Sequence, residues 1–157
     1  MNYKIRPIQT SEIPSLRDFL YEAIFIPEGV PAPPRSIIDD ESLQVYIHDF
    51  GNSSHDRCLV AESSGRIVGA IWSRIMNDYG HIDDETPSIA ISLYKEYRNQ
   101  GIGTQLLHQM LVLLKQEGYK NVSLSVQKAN YALQMYRKAG FQIISEADDE
   151  IIMRCPL

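Results

Sequence analysis

Apolar and polar positions along the 157-residue chain follow two periods, and the switches between them divide it into elements. Tyr3 to Ile8 reads as a first strand stopped near Pro7. Ile13, Leu16, Phe19, Leu20, Ala23 and Ile24 then recur at helical spacing, behind a cap at Thr10 or Ser11 with Glu12 in the first turn, which predicts a helix over 11–25. Pro27, Pro31, Pro33 and Pro34 follow within eight residues, so this stretch is neither helix nor interior strand but a shaped loop. Leu43, Tyr46, Ile47 and Phe50 fall on one face of a helix predicted over 39–50 and ended by Gly51.

Beyond it the apolar runs at 58–62 and 67–75 read as two strands joined by the turn Ser63-Ser64-Gly65-Arg66, a hairpin. An acidic loop over 76–87 leads to a strand at 88–94. Leu106, Leu107, Met110, Leu111 and Leu114 make the stripe of a long helix over 101–117, closed by Gly118. Val122, Leu124 and Val126 alternate with serines and mark another strand. A helix over 130–139 ends at Gly140, and two short strands, 141–145 and 150–154, flank an acidic turn. Strands and helices interleave without repeat or linker, so the expectation is one α+β domain, 1–157, with a mixed sheet.

Composition narrows the function classes. A content of 44% hydrophobic and 22% charged residues is that of a globular chain long enough to bury a core without disulfides. Cys58 and Cys155 therefore read as reduced thiols, which with a charged start lacking the pattern of a signal peptide points to the cytoplasm. The longest purely apolar run, Met110 to Leu114, is far too short for a membrane span. A net charge of −5 argues against nucleic acid as partner, but the sum hides a division. Residues 1–94 carry seven Lys and Arg against fourteen Asp and Glu; residues 95–138 carry seven against two. One part suits an anion, the other a cation or amine.

The anion has a candidate seat. Ile89 to Tyr94 runs through Lys95-Glu96-Tyr97 into Arg98-Asn99-Gln100-Gly101-Ile102-Gly103-Thr104, where the long helix begins. Glycines there let a backbone approach a ligand, and the free N–H groups of a first helical turn bind phosphate. The pattern lacks the Gly-Lys-Ser/Thr of a P-loop and the third glycine of a dinucleotide fingerprint. Alone, the glycines could equally tighten a strand-to-helix turn. A second block follows one strand later: Asn130, then Tyr136, Gly140 and Phe141.

Together the two blocks resemble the GNAT superfamily of acetyl-CoA-dependent N-acetyltransferases, whose phosphate loop, Arg/Gln-x-x-Gly-x-Gly/Ala, matches Arg98 to Gly103. The resemblance is specific over 88–141; Tyr131 and Leu133 depart from its frequent Pro and Ala. It implies a three-layer α/β/α arrangement: a mostly antiparallel mixed sheet of six to seven strands with splayed central strands and about four helices. It also implies that acetyl-CoA pairs with the strand ending at Leu93 and Tyr94, with the Leu93 N–H as donor to the acetyl oxygen. The pyrophosphate would sit on Arg98, Asn99, Gln100, Gly101, Ile102, Gly103 and Thr104, the pantetheine on Asn130, and Tyr136 would protonate the departing thiolate.

An amine nucleophile must also lose a proton. The loop Asp78-Tyr79-Gly80-His81-Ile82-Asp83-Asp84-Glu85 supplies four carboxylates just before the cofactor strand, and Glu85 and Asp83 are the first candidates for the base. On the acceptor side the proline loop offers Phe25, Glu28, Pro33, Pro34 and Arg35, and the neighbouring strand Trp72 and Arg74. No metal is expected, since His48 and His81 lack partners at ligand spacing. The reading is thus transfer of acetyl from acetyl-CoA to a primary amine of a small molecule or peptide by direct attack in a ternary complex. The alternative is a non-catalytic acyl-CoA-binding sensor or regulatory module. Sheet-edge dimers are frequent in the resembling family, which makes a homodimer an expectation as well.

Overall fold

A computed structural model describes residues 2–157. Seven strands form one sheet in the order β1-β2-β3-β4-β5-β7-β6, where β1 is Lys4–Pro7, β2 Arg57–Ser63, β3 Arg66–Arg74, β4 Ser88–Leu93, β5 Asn121–Gln127, β6 Gln142–Glu146 and β7 Glu150–Pro156. Every pairing is antiparallel except β4 with β5. Four helices cover it: α1 (Leu16–Ala23), α2 (Glu41–Gln44), α3 (Ile102–Gln116) and α4 (Leu133–Ala139). The layered, mostly antiparallel arrangement is the one the sequence predicts.

The hairpin of β2 and β3 reads as nearly continuous apolar sequence because both of its faces are covered. Leu59, Ala61, Val68 and Ile71 meet the stripe Ile102, Leu106, Leu107, Met110 and Leu114 of α3 on one face. Cys58, Val60, Ala70 and Trp72 meet Leu16, Phe19, Leu20, Ile38 and Phe50 on the other. Each buried leucine of that stripe is worth about 2–5 kcal/mol against alanine, far more than helix propensity contributes.

Two predicted helices are shorter than their periodicity. The span 11–25 is a 3-10 segment, Thr10–Ser15, followed by α1, because Pro14 has no N–H to give an α-helical bond. The span 39–50 is a 3-10 turn, Arg35–Asp39, then only the four residues of α2 and a series of turns. Here β3 competes for the backbone: Arg74 Nη1 donates to the carbonyls of Val45 (3.1 Å) and His48 (2.8 Å), and Trp72 Nε1 to that of Tyr46 (3.0 Å). Carbonyls turned sideways toward donors of the sheet are aimed away from the N–H groups four residues on, and the stretch runs as turns. The helix expected from 130 likewise begins at Leu133, because Asn130 Oδ1 accepts from Ala132 N (2.9 Å) in a preceding turn.

β4 and β5 touch at one paired position only, Ser88 with Ser123. Beyond it they diverge: Ser92 Oγ donates to the Phe19 carbonyl of α1 (2.6 Å), while β5 stays paired along its whole length with β7. The loop between β3 and β4 closes the narrow end. Ser123 Oγ donates to the Gly80 carbonyl (2.8 Å), and a Cβ at Gly80 would lie 2.9 Å from the Leu124 carbonyl carbon and 3.0 Å from Ser125 N. Backbone atoms of a sheet strand cannot yield as a side chain can, so Gly80→Ala is expected to lower stability by about 1–3 kcal/mol in urea unfolding. Stability equal to wild type would show that the loop relaxes freely.

Candidate active site

The divergence opens a cleft of about 1240 Å³ that runs through the sheet plane from the start of α3 to the proline-rich loop. Drug-sized ligands fill pockets of about 300–1,000 Å³, so this one has room for an elongated ligand and a second reactant.

Its floor at one end is the strand-loop-helix of the sequence motif. Gly101 takes φ +86°, which β-carbon sterics disfavour in other residues, and turns the chain into α3. Gln105 N is the first to bond back into the helix, to the Gly101 carbonyl (3.2 Å), so the N–H groups of Ile102, Gly103 and Thr104 are free of intrahelical partners. Asn99, Gly101, Gly103 and Thr104 line the cleft. Arg98 lines it too, but its guanidinium works as a staple: Nε donates to the Leu93 carbonyl (3.0 Å) and Nη2 to that of Glu22 (3.3 Å). Gln100 instead donates to the Glu96 carbonyl (2.8 Å), Ile102 is buried in the core, and the Tyr94 ring turns to the opposite face against Phe19 (5.0 Å) and beneath Arg66 (4.8 Å). None of these three lines the cleft.

The wall between is the unpaired edge of β4. Tyr94 N donates to the Val68 carbonyl of β3 (3.0 Å), and alternation along a strand then aims the N–H groups of Ile91 and Leu93 at the side β5 has left. Opposite stand Asn130, whose Oδ1 is spent on Ala132 while its amide hydrogens remain, and Tyr136, packed edge-on against Phe141 (centroids 5.8 Å apart). Burial pushes the Tyr136 phenol well above its ordinary pKa, with Tyr131 adding to the effect, so it keeps its proton at neutral pH.

At the other end the acceptor-side expectations divide. Phe25 and Glu28 line the cleft. Pro33, Pro34 and Arg35 do not; they hold the loop in shape, with Tyr21 Oη donating to the Pro33 carbonyl and Arg35 paired to Asp18 over the Tyr21 ring (4.7 Å). Trp72 and Arg74 are also corrected: they are 0% and 9% exposed and lie behind the wall. Arg74 pairs with Asp56 through Nε (3.1 Å) and Nη2 (3.2 Å), stacks over Phe50, and with Trp72 clamps the chain at 45–48. Asp83 and Glu85 stand exposed outside the cleft. The Glu85 N–H held by Asp83 (2.9 Å), with Thr86 bonding beside it, keeps that carboxyl below its usual range, the reverse of what a base needs.

Tyr46, Tyr79 and Ser125 also line the cleft, as do the carboxylates of Glu22, Glu28, Asp40 and Glu150 and the cations of Lys95 and Arg98, with Glu22 beside Arg98 (3.6 Å). Tyr46 was concealed by its place on an apolar stripe, and nothing in the sequence sets Ser125 apart from its neighbours.

The profile of the acetyltransferase (GNAT) family matches residues 19–141. The chain belongs to that family. Among curated GNAT relatives, "N-acetyltransferase family 8 member 3" of Mus musculus is 31% identical over 96 residues, which are 60% of this chain and 42% of the mouse protein. A "Putative [ribosomal protein bS18]-alanine N-acetyltransferase" of Bacillus subtilis is 30% identical over 98 residues, 62% of this chain and 61% of the relative. The chain thus spans less than half the length of the mouse relative. Among solved structures, the PaiA N-acetyltransferase of Thermoplasma acidophilum in complex with coenzyme A superposes with a TM-score of 0.72 at 19% identity over 100% of both chains, a likeness of fold.

The Arg74–Asp56 pair fixes the chain at 45–48 from behind, with Asp56 also accepting from Gly51 N (2.8 Å). Asp56→Ala strands a buried guanidinium and is expected to cost about 3–5 kcal/mol in urea unfolding. A loss below about 1 kcal/mol, the range of an exposed pair, would contradict the clamp.

Proposed function

We propose that this chain transfers acetyl from acetyl-CoA to a primary amine of a small molecule or peptide, by direct attack in a ternary complex. The observation that carries the reading is the unpaired edge of β4, which presents free N–H groups between a helix N-terminus and a buried phenol. A buried strand edge needs a partner, and an extended amide chain such as pantetheine can supply one.

In this reading the N–H groups of Ile102, Gly103 and Thr104 receive the pyrophosphate, and the Asn130 amide holds the pantetheine. The Leu93 N–H donates to the acetyl oxygen, where negative charge grows as the amine nitrogen bonds to the carbonyl carbon. When the carbon–sulfur bond breaks, the sulfur takes the Tyr136 proton. Burial keeps that phenol protonated at neutral pH, so the proton is in place when the carbon–sulfur bond breaks. The excess of carboxylates over cationic side chains along the cleft favours a cationic or amine-bearing substrate.

Thiol release from acetyl-CoA against polyamines, amino acids, aminoglycosides and peptide N-termini tests the reaction. Release with at least one amine is expected. No release with any of them, while acetyl-CoA still raises the melting temperature, would assign the chain to acyl-CoA binding without transfer. Tyr136→Phe is expected to lower kcat by about 100-fold or more with acetyl-CoA affinity nearly unchanged. Unchanged turnover would leave Tyr136 a packing residue.

A further inference from the structure

Asp78, alone among the carboxylates of the acidic loop, is turned inward. Its Oδ1 is enclosed and has no hydrogen-bond partner, and the Ser88 hydroxyl beside it is in the same state. Such groups are uncommon in native proteins, because each forfeits solvation worth about 1–3 kcal/mol. Against Asp78 lies the Tyr46 hydroxyl, which also adjoins Ser125 of β5, and both Tyr46 and Ser125 line the cleft where Asp78 does not. Tyr46 packs with the α1 side of the sheet and Tyr136 with the α3 side, so the two phenols face the gap between β4 and β5 from opposite faces.

Resting on the acetyltransferase reading, we propose that Tyr46 and Asp78 form the proton relay that deprotonates the incoming amine. The amine N–H bond breaks as its proton passes to Tyr46 Oη; the Tyr46 O–H bond breaks as its own proton passes to Asp78, which changes from carboxylate to carboxylic acid. Tyr46 ends as it began, a neutral phenol. Asp78 adjoins Tyr46, Ser88 and the Gly80 backbone but does not line the cleft, so it is a positioning and accepting residue behind Tyr46. The surroundings agree with each role. Burial raises the Asp78 carboxyl above its ordinary pKa, which makes it the better proton acceptor, and burial beside Asp78 raises the Tyr46 phenol, so no phenolate accumulates and the hydroxyl can only pass protons on. The machinery also holds Tyr46 in place: Trp72 grips its carbonyl, and Arg74 grips those on either side at Val45 and His48. Gly80, two residues after Asp78, is pinned to β5.

A protonated amine must lose one proton before its nitrogen can attack, and the relay takes that one. The proton lost after the N–C bond forms can go to the phenolate that C–S cleavage leaves on Tyr136, so an amine that arrives neutral does not need the relay. Tyr46→Phe and Asp78→Asn should therefore be compared with wild type at pH 7.5 on ethylamine and on 2,2,2-trifluoroethylamine, which is of similar shape but mostly unprotonated at that pH. With ethylamine, each variant is expected to lose about 100-fold or more in kcat/KM, whereas with trifluoroethylamine the loss stays within about threefold. Equal losses on both amines, or no loss on either, overturn the relay; a merely structural role predicts the former. Tyr46→Phe keeps the ring and the gripped carbonyl, so it carries the test even if Asp78→Asn unfolds. A wild-type protein that releases no thiol with either probe or any panel amine overturns the acetyltransferase reading and the relay with it.

Discussion

The parting of β4 from β5 after one paired position is the constraint on which the rest depends. A ladder hydrogen bond contributes about 0.5–1.5 kcal/mol net, and the sheet forgoes several of them at its centre. Such a gap persists only if both strands are held elsewhere. β5 is held along its length by β7, and β4 by β3, by the Ser92 bond to α1 and by the Arg98 staple across its end. What the sheet gives up is the capacity a ligand then uses: oriented donors in a cavity closed at one end by Gly80.

How much of this the sequence discloses depends on whether an element is fixed locally or from outside. The β2–β3 hairpin, the stripe of α3 and the glycines that end α3 and α4 follow from patterns within a few residues, and their boundaries agree with the structure to within one or two positions. The stretch 39–50 has an equally good helical stripe and is mostly turns, because its carbonyls are turned to Trp72 and Arg74, 26 and 29 residues away in the chain. The same holds at the site. The Gly101–Gly103 turn and the Asn130–Tyr136 spacing are local patterns, and all four of these residues line the cleft. Which of four carboxylates in one acidic run turns inward is decided by where Gly80 meets β5, and no spacing within the run encodes that contact.

Charge shows a similar refinement. The acidic first part and basic later part are real in the sequence, yet few of those charges reach the cleft. Lys95 and Arg98 line it from the basic stretch, and Arg98 is engaged with the Glu22 carbonyl. Lys115, Lys120 and Lys138 are exposed and do not line it. The division matters less as a field of many charges than as the four carboxylates and two cations that line the cleft.

The contact of Gly80 with β5 has a consequence for traffic. A loop whose backbone touches a sheet strand, with a side chain of that strand bonded to its carbonyl, makes a wall that does not swing. The chain at 45–48 is equally fixed by Arg74 and Trp72. Reactants must then come and go past the remaining boundary, the proline-bearing stretch, whose Val30 is 52% exposed at the cleft rim. That stretch holds Pro27, Pro31, Pro33 and Pro34, so the boundary left open is itself a stiff one.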